Sequence, residues 1–411
     1  MKIFNRKLKI TSSALLTLCM VFVMTACAEN SSQSEKSQPA EQTTVQPTTM
    51  SAEEINDRKL DKFIADMTLE EKVGQMFFVR CPDEGAVQQV SEYNIGGYIL
   101  FGRDFDGKTK DEVVDDIHSY QNEADIPLLI GVDEEGGTVV RVSSNPNLRE
   151  TPFLSPKDTY ADGGWDAVKQ DAEEKADLLL SLGINVNLAP VCDMTSDEYG
   201  FMYDRSFSSD VDMENRYVRT VVETSKSKKL GTVLKHFPGY GNNSDTHTGI
   251  AYDDRDYSEF ENTDFKPFYQ GIESGADCIL VSHNIVNCMD SEYPASLSQK
   301  VHDILRNEFK FDGVIMTDDL IMDAITDFTG DEAAAVTAAK CGNDLLCCSS
   351  VDTQYPAVLE AVQNGEIPEA QVDASVKRIL KWKQNLGIFN IDTYQVKVKS
   401  TEPTDTVGSE E

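Results

Sequence analysis

Eight short apolar runs recur along the chain, and longer stretches with helical periodicity separate most of them. The runs are rich in β-branched and aliphatic residues and have the length of buried strands. Strands that alternate with helices at this spacing predict a parallel sheet, and eight such units predict one α/β domain, a (β/α)8 barrel of the TIM type. A doubly wound open sheet is the alternative, although no Gly-x-Gly-x-x-Gly turn follows the first run. The predicted strands are 73–80, 95–102, 127–133, 184–190, 231–236, 278–283, 313–317 and 344–348.

Several of these runs end in a charged side chain or an imidazole. In a (β/α)8 barrel the carboxyl ends of the strands lie on one face, and active sites form there. We therefore expect these polar residues to share one pocket. They are Asp133, Lys235, His236, His283 and Asp318.

The segment that follows the fifth run carries the sharpest chemical signal. The run ends at Lys235 and His236, and the Gly-containing loop after it carries Asp245 and His247, so that two of the chain's five histidines lie within one short segment. A carboxylate close to an imidazole can fix its tautomer and raise its basicity. The pattern predicts an acid–base pair on a loop at the barrel mouth.

Two acidic segments follow other predicted strands. In Asp133-Glu-Glu-Gly-Gly, with Arg141 just beyond, an Asp and a nearby Arg suit recognition of sugar hydroxyls. In Thr-Asp318-Asp319, two acids directly after a buried strand carry a desolvation cost unless they have partners or a catalytic role. One of them can be a nucleophile and the other a helix N-terminal residue. Taken alone, the first segment also fits a solvated acidic turn.

Together with Arg205-Ser-Phe and Lys235-His-Phe-Pro-Gly, these segments resemble glycoside hydrolase family 3 over approximately residues 57–390. The Asp-x-His element is similar to that of the bacterial β-N-acetylhexosaminidase (β-N-acetylglucosaminidase) branch of the family. The resemblance implies that Asp318 is the nucleophile, His247 the acid/base and Asp245 its orienting partner. It also implies a set of residues that hold the terminal N-acetylglucosamine, namely Asp133, Arg141, Arg205, Lys235 and His236.

The activity implied by this resemblance is hydrolysis of terminal β-linked N-acetylhexosamine residues with retention, in cell-wall (peptidoglycan) turnover. No metal and no other cofactor is implied, and the partner is a carbohydrate: muropeptides, chitin oligosaccharides or other β-N-acetylglucosaminides. The chain departs from the family pattern at four positions. They are Glu134, where Gln is usual, and Thr138, Tyr240 and Ile321.

Other functions stay open at this stage. A histidine acid/base does not repel phosphate, so a β-N-acetylglucosaminide phosphorylase is possible, as is a β-glucosidase of the same family. A sugar-binding lipoprotein without catalysis is the non-enzyme alternative. A metal-dependent barrel enzyme could use His236, His247 and His283 as ligands, but tightly spaced ligand motifs are absent.

The first residues have the features of a targeting segment. A cationic start precedes the apolar stretch 14–23, which is too short to span a bilayer. Met24-Thr-Ala-Cys27 resembles the bacterial lipobox, which implies lipidation of Cys27 and an anchor on the extracytoplasmic face of the cell membrane. Simple cleavage and secretion is the alternative. The predicted organisation is a signal peptide (1–27), a disordered tether (28–56), the catalytic barrel (57–390) and a flexible acidic tail (391–411).

The charge balance limits the partners. The chain has 37 Lys and Arg against 71 Asp and Glu, a net charge of −34. Such a charge argues against nucleic acids and anionic lipid surfaces as direct ligands. The membrane is therefore expected as a partner only through the lipid anchor. After Cys27, an odd number of cysteines in mostly apolar contexts predicts buried thiols and not a disulfide framework.

Overall fold

The computed structural model of the protein describes residues 50–243, 249–329 and 331–394. Eight strands pair in parallel in the order β10-β1-β2-β3-β4-β5-β7-β9. A parallel bridge between Met316 and Leu345 joins the two outer strands and closes the sheet into a barrel. The predicted fold class, a (β/α)8 TIM-type barrel, is confirmed. The barrel strands are β1 Phe77–Arg80, β2 Gly97–Leu100, β3 Leu129–Val132, β4 Val186–Asn187, β5 Gly231–Phe237, β7 Cys278–Val281, β9 Val314–Thr317 and β10 Leu346–Cys348.

Helices follow the strands and cover the outside of the barrel, as the alternating pattern predicts. Two further short strands, β6 Tyr252–Asp253 and β8 Ile285–Val286, pair with each other in parallel outside the main sheet. None of the helices in the described residues is long and apolar enough to cross a bilayer. The helices are α1 Ala52–Asp66, α2 Leu69–Gln75, α3 Ala86–Tyr93, α4 Lys110–Glu123, α5 Pro156–Ser181, α6 Val211–Lys228, α7 Tyr257–Asn262, α8 Phe265–Ser274, α9 Gln299–Asp303, α10 Asp323–Thr329, α11 Asp331–Lys340, α12 Val351–Gln363 and α13 Glu369–Asn385.

Reciprocal capping fixes where the first helix starts. The side chain of Ser51 accepts from the Glu54 amide, and the Glu54 carboxylate accepts from the Ser51 amide at 2.7 Å. This arrangement satisfies two of the amides that a helix start leaves unpaired. Leu60 and Ile64 on the same helix are buried in the core. The ordered domain therefore begins before residue 57, and the predicted tether 28–56 is too long at its C-terminal end.

The other end of the domain is also longer than predicted. Ile391 and Tyr394 pack against the core, and the Tyr394 hydroxyl donates to the carbonyl of Asp125 at 3.0 Å. The rings of Phe63, Phe389 and Tyr394 contact one another with centroids 5.2–5.6 Å apart. Residues 391–394 thus belong to the domain and not to a flexible tail. The remainder of the predicted tail, 395–411, lies outside the described residues.

The first predicted strand is wrong at its start. Residues 73–75 belong to α2, which a capping box between Thr68 and Glu71 begins, and the strand starts only at Phe77. Val73 is fully buried in that helix. A short apolar run has the same sequence pattern in a buried helix as in a buried strand, so the pattern alone could not distinguish the two.

Alternate strand residues fill the interior of the barrel with aliphatic and aromatic side chains. The interior is therefore a packed core, and the polar strand ends lie on the face where the chain leaves each strand. Within the described residues all seven cysteines are free, and six of them are buried, with Cys288 exposed. Side chains of the barrel interior include Phe78, Ile99, Leu129, Val186, Val233, Leu280, Val314 and Met316.

Candidate active site

Lys235, near the end of β5, is the centre of a buried ionic cluster at the barrel mouth. Its Nζ lies 2.6 Å from Asp133 Oδ1 and 2.6 Å from Glu135 Oε1. Burial lowers the pKa of this lysine, but the charges of Asp133 and Glu135 outweigh burial and hold the pKa above its ordinary value. Lys235 is therefore a fixed positive charge whose Nζ is oriented by two carboxylates from the end of β3.

Glu135 joins this lysine to Arg205. The Arg205 guanidinium donates to both carboxylate oxygens of Glu135, from Nε at 2.9 Å and from an NH2 group at 2.7 Å. Burial raises the pKa of Glu135, but Lys235 and Arg205 hold it well below its usual range. Such a bidentate pair fixes the orientation of the guanidinium as well as its position. Sequence analysis did not identify Glu135, because the third acid of an acidic turn looks solvent-exposed.

His236 points its two ring nitrogens at opposite kinds of partner. Nδ1 lies 2.7 Å from a carboxylate oxygen of Asp193, and Nε2 lies 3.2 Å from the Arg205 guanidinium. A carboxylate only accepts and a guanidinium only donates, so these contacts fit a proton on Nδ1 that points to Asp193 and an Nε2 that accepts from Arg205. Asp193 also accepts from the main-chain amides of His236 and Tyr240, at 2.9 and 2.8 Å. Asp193 follows the apolar residues that come directly after β4. An acid at the end of such an apolar stretch is the sequence signal that could have identified it.

Glu134 lies between Asp133 and Glu135 in the chain, but its side chain points away from the ionic cluster around Lys235. Its buried carboxylate accepts from the amides of Arg141 and Val142 at 2.9 and 2.7 Å, and from the amide and hydroxyl of Ser143. The turn needs Gly136, whose φ is +102° and whose Cβ would overlap the Leu154 carbonyl. Glu134, one of the departures from the family pattern, therefore shapes the loop that carries Arg141.

Asp318 and Asp319 follow β9 and have different surroundings. The Asp318 amide donates to the carbonyl of Val281 at 3.1 Å, and Asp318 Oδ1 accepts from the Asp319 amide at 2.9 Å. The Asp319 carboxylate accepts from the Ser349 hydroxyl and the Ile321 amide. Burial raises the pKa of Asp319, and the charge of Asp318 adds to that effect. The contacts with Ser349 and Ile321 tie the Asp319 side chain into its loop.

His283, the other histidine at a strand end, supports this loop. Its Nε2 lies 3.0 Å from the Asp319 carbonyl, which can only accept, so Nε2 carries the proton. Nδ1 then accepts from the Ser296 hydroxyl at 2.7 Å. Fully buried and with both nitrogens engaged, His283 holds the main chain beside Asp318.

The two acidic segments follow β3 and β9, whose carboxyl ends lie on the same face of the barrel. Burial raises the pKa of the Cys347 thiol on β10 well above its usual value, and the charges of Asp319, Asp318 and Asp133 add to this effect. Cys347 lies on β10, between β9 and β1 in the closed barrel, and the ends of these parallel strands share one face with the end of β3. Asp318 therefore lies at the same barrel mouth as the Lys235 cluster.

Arg141 completes the described part of the site. Its guanidinium carbon lies 5.7 Å from the ring centroid of Phe101, which directly follows β2. The structure thus brings together at one mouth the predicted residues of three strand ends and two loops. They are Asp133, Arg141, Arg205, Lys235, His236 and Asp318.

The remaining predicted site residues, Asp245, His247 and Cys27, lie outside the described residues. The loop that carries Asp245 and His247 leaves β5 through Gly239, whose carbonyl accepts from Arg255 at 3.1 Å. Arg255 also pairs with Asp253 and Asp264. The roles of Asp245, His247 and Cys27 stay predictions. Within the part of the chain that the structure describes, no group of three or more His, Cys, Asp or Glu side chains is arranged to hold a metal ion.

Comparison with known proteins places this geometry in a family. Residues 68–382 match the sequence model of the Glycosyl hydrolase family 3 N terminal domain. The chain is 32% identical over 273 residues to a β-hexosaminidase of Nitrosomonas eutropha, covering 64% of this chain and 77% of the relative. It is 30% identical over 331 residues to the β-hexosaminidase LpqI of Mycobacterium tuberculosis, covering 76% of this chain and 82% of LpqI.

Solved structures give the same result. A glycoside hydrolase family 3 β-N-acetylglucosaminidase from Paenibacillus sp. superposes with a TM-score of 0.74 at 28% identity, covering 84% of this chain and 66% of that one. The structure of M. tuberculosis LpqI superposes with a TM-score of 0.71 at 27% identity, covering 79% of this chain and 96% of that one. With the family match extending from α2 to α13 and the polar cluster at the mouth of its barrel, this chain belongs to glycoside hydrolase family 3.

Proposed function

We propose that the protein is a retaining exo-β-N-acetylglucosaminidase that removes terminal β-linked N-acetylhexosamine residues during peptidoglycan turnover. The observation that carries the proposal is the buried Asp133–Lys235–Glu135–Arg205 cluster on the barrel face where β9 ends and Asp318 follows. The cluster offers a charged rim for hydroxyl groups, with each side chain already oriented. The printed names of the relatives, β-hexosaminidase and β-N-acetylglucosaminidase, support this activity.

In the proposed reaction Asp318 is the nucleophile and His247 the acid/base. A carboxylate oxygen of Asp318 attacks the anomeric carbon, the bond from that carbon to the leaving oxygen breaks, and His247 gives its proton to that oxygen. Water then attacks the same carbon, His247 takes a proton from the water, and the bond to Asp318 breaks. A histidine suits both steps because its ordinary pKa of about 6.5 makes both protonation states accessible near neutral pH.

The binding residues have separate tasks in this proposal. Asp133 accepts from sugar hydroxyls, while Lys235 and Arg205 donate to hydroxyl or acetamido oxygens. Because Glu135 and Asp193 already hold Lys235, Arg205 and His236 in place, little side-chain order is lost when the sugar binds. These side chains are already ordered in the folded protein, so binding of the sugar does not have to order them, and the site is preorganised.

A covalent trap tests the nucleophile. A 2-fluoro β-glycoside with a good leaving group should label Asp318, and mass spectrometry of the digested protein identifies the labelled peptide. Asp318→Ala should reduce kcat by about three orders of magnitude or more, with an unchanged unfolding midpoint. A label on Asp319 or on any Glu would overturn the assignment.

We also propose that Cys27 carries a lipid that holds the barrel at the extracytoplasmic face of the cell membrane. The support is the cationic start, the apolar stretch 14–23 and the lipobox-like Met24-Thr-Ala-Cys27. A tether of Ser, Gln, Thr and Pro residues up to the start of α1 would separate the anchor from the barrel.

A further inference from the structure

A fourth cation, Arg80, lies at the barrel mouth beside Lys235, Arg205 and Arg141 and was not among the predicted site residues. Arg80 ends β1, and its guanidinium carbon lies 4.5 Å from the ring centroid of Phe101. The same ring contacts Arg141 at 5.7 Å. The ends of β1, β2 and β3 are neighbours in the barrel, so Phe101 lies between Arg80 of β1 and Arg141 of the loop after β3.

Arg80 has unused hydrogen-bonding capacity. Its Nε is buried and has no hydrogen-bond partner among the described residues. An unpaired buried donor is costly, and such donors in native proteins call for an explanation, a bound ligand among them. The nearby Arg103 differs, because it pairs with Asp83 at 2.8 Å and donates to the carbonyl of Cys81.

An open pocket of about 370 Å³ adjoins Arg80. Asp83 is the one acid in its lining, and Arg103 neutralises that carboxylate, so the lining keeps one net positive charge. Ser349 connects the pocket to the reaction centre, since its hydroxyl donates to Asp319, the neighbour of Asp318. The lining residues are Arg80, Pro82, Asp83, Gln89, Arg103 and Ser349.

We propose that this pocket is a subsite for an oxyanion beside the sugar that is cleaved, with Arg80 as its binding residue. A planar guanidinium matches a carboxylate or a phosphate and binds either with paired hydrogen bonds. The oxyanion is a carboxylate on the substrate or free phosphate that takes part in the reaction. In a chain of net charge −34, a local cation of this kind is what admits an anionic group to the mouth. The inference rests on the proposed glycosidase function.

A matched pair of substrates tests the subsite. Two β-N-acetylglucosaminides are compared whose aglycones differ only in a carboxylate or its methyl ester. For the wild-type protein, kcat/KM should favour the acid about tenfold, the size of one charge-assisted contact. Arg80→Gln should bring that ratio close to one, and Arg80→Lys should restore part of it. The control Arg216→Gln, which removes a guanidinium packed on Trp165 of α5, should leave the ratio unchanged.

A second arm separates the two sources of the oxyanion. Reactions with and without inorganic phosphate are analysed for N-acetylglucosamine 1-phosphate, the product of phosphate attack on the anomeric carbon in place of water. An acid preference without this product assigns the pocket to a carboxylate on the substrate. Formation of the product, lost in Arg80→Gln, assigns it to free phosphate. No acid preference and no effect of phosphate would overturn the subsite.

The test of the subsite can be separated from the test of the glycosidase activity. Turnover of the neutral ester by the wild-type protein tests the glycosidase function and not the subsite. If neither substrate is cleaved, calorimetric binding of the acid and the ester to the wild-type and Arg80→Gln proteins gives the same ratio without turnover. Equal affinities in both proteins would also contradict the subsite.

Discussion

At the scale of single residues, the site is defined by which groups orient which others. Glu135, after β3, holds both Lys235 and Arg205, Asp133 also holds Lys235, and Asp193, after β4, holds His236. An ion pair removed from water is costly to break, because the remaining charge stays buried. The site therefore contributes to stability only while the network is complete.

Glu135→Gln tests this network. It leaves Arg205 without its bidentate partner, so we expect a loss of about 3–5 kcal/mol in the free energy of unfolding at neutral pH. The control Glu366→Gln removes an exposed ion pair with Lys340 and should cost about 1 kcal/mol or less. Urea unfolding of the three proteins gives the comparison. Equal losses in the two variants would show that the cluster is not a buried unit.

The difference in unfolding free energy between the wild-type protein and Glu135→Gln should depend on pH. The pKa of Glu135 is lower in the folded than in the unfolded state, so its stabilisation is complete above the unfolded value of about 4.3. It is lost as the pH falls below that value, toward the folded pKa. The difference in unfolding free energy between wild-type protein and Glu135→Gln should therefore shrink below about pH 4.

His247 carries the prediction that most separates this reaction from one with two carboxylates. Its loss in His247→Ala should hurt substrates with poor leaving groups far more than activated aryl glycosides, which need little protonation. Asp245→Ala should cost less, because Asp245 only orients the imidazole. Kinetics across leaving groups of graded pKa give the comparison, with azide as a rescuing nucleophile. A uniform loss without azide rescue would mean that another residue protonates the leaving group.

The site residues could be predicted from the sequence where a polar side chain interrupts an apolar pattern. Asp133, Lys235, His236 and Asp318 all end runs of this kind. Glu135 could not be found, because its burial comes from Lys235 and Arg205, which are 100 and 70 residues away in the chain. Likewise His302 looks like a surface residue of a helix, yet it is buried with Nδ1 2.8 Å from the Ser298 carbonyl.

At the scale of elements, the strands were predictable because eight parallel strands must be apolar on both faces. The boundaries of the elements were less predictable, since α1 begins at a capping box inside the predicted tether. The short strands β6 and β8 were not predicted, because each is only two residues long. Packing of helix on helix is not visible in the sequence either. The contact between α13 and α2 is an example, because it buries a lysine.

Lys383 of α13 gives a prediction about that contact. Its fully buried Nζ donates to Gln75 Oε1 of α2 at 2.8 Å, and burial lowers its pKa to about 7. Between about pH 7 and the ordinary value near 10.4, the unfolded chain binds more protons than the folded one, so stability rises with pH. Relative to Lys383→Met, the wild-type unfolding free energy should rise by up to about 1.4 kcal/mol per pH unit in this range.

A neighbouring lysine supplies the control for this experiment. Lys381 lies on the same helix, is partly exposed and pairs with Asp57 at 2.8 Å. Lys381→Met should show no such rise relative to wild type between pH 7 and 10. Urea unfolding at four pH values distinguishes the two variants. A flat difference for Lys383→Met would mean that Lys383 stays charged in the fold.

At the scale of the whole molecule, the described part of the barrel domain runs from α1 to Tyr394, and the proposed anchor precedes it in the chain. The chain covers 96% of the solved LpqI structure. Its acidic charge does not favour adsorption to an anionic membrane, so any attachment should depend on the lipid.

Cys27→Ala tests that attachment. The substitution removes the thiol that would carry the lipid, so the protein should leave the membrane fraction or keep its signal unprocessed. Immunoblots of membrane and soluble fractions give the result, with Cys288→Ala, an exposed cysteine of the barrel, as the control. Cys27→Ala protein with both the distribution and the processed length of the wild type would contradict the lipid anchor.

The way Glu134 holds its loop has an evolutionary consequence. The carboxylate binds three consecutive main-chain amides, and an amide is the same whichever side chain its residue carries. Position 141 can therefore exchange its side chain while the path of the loop is kept. A new preference for a different sugar substituent could arise there by a single substitution, without a second change to repair the fold.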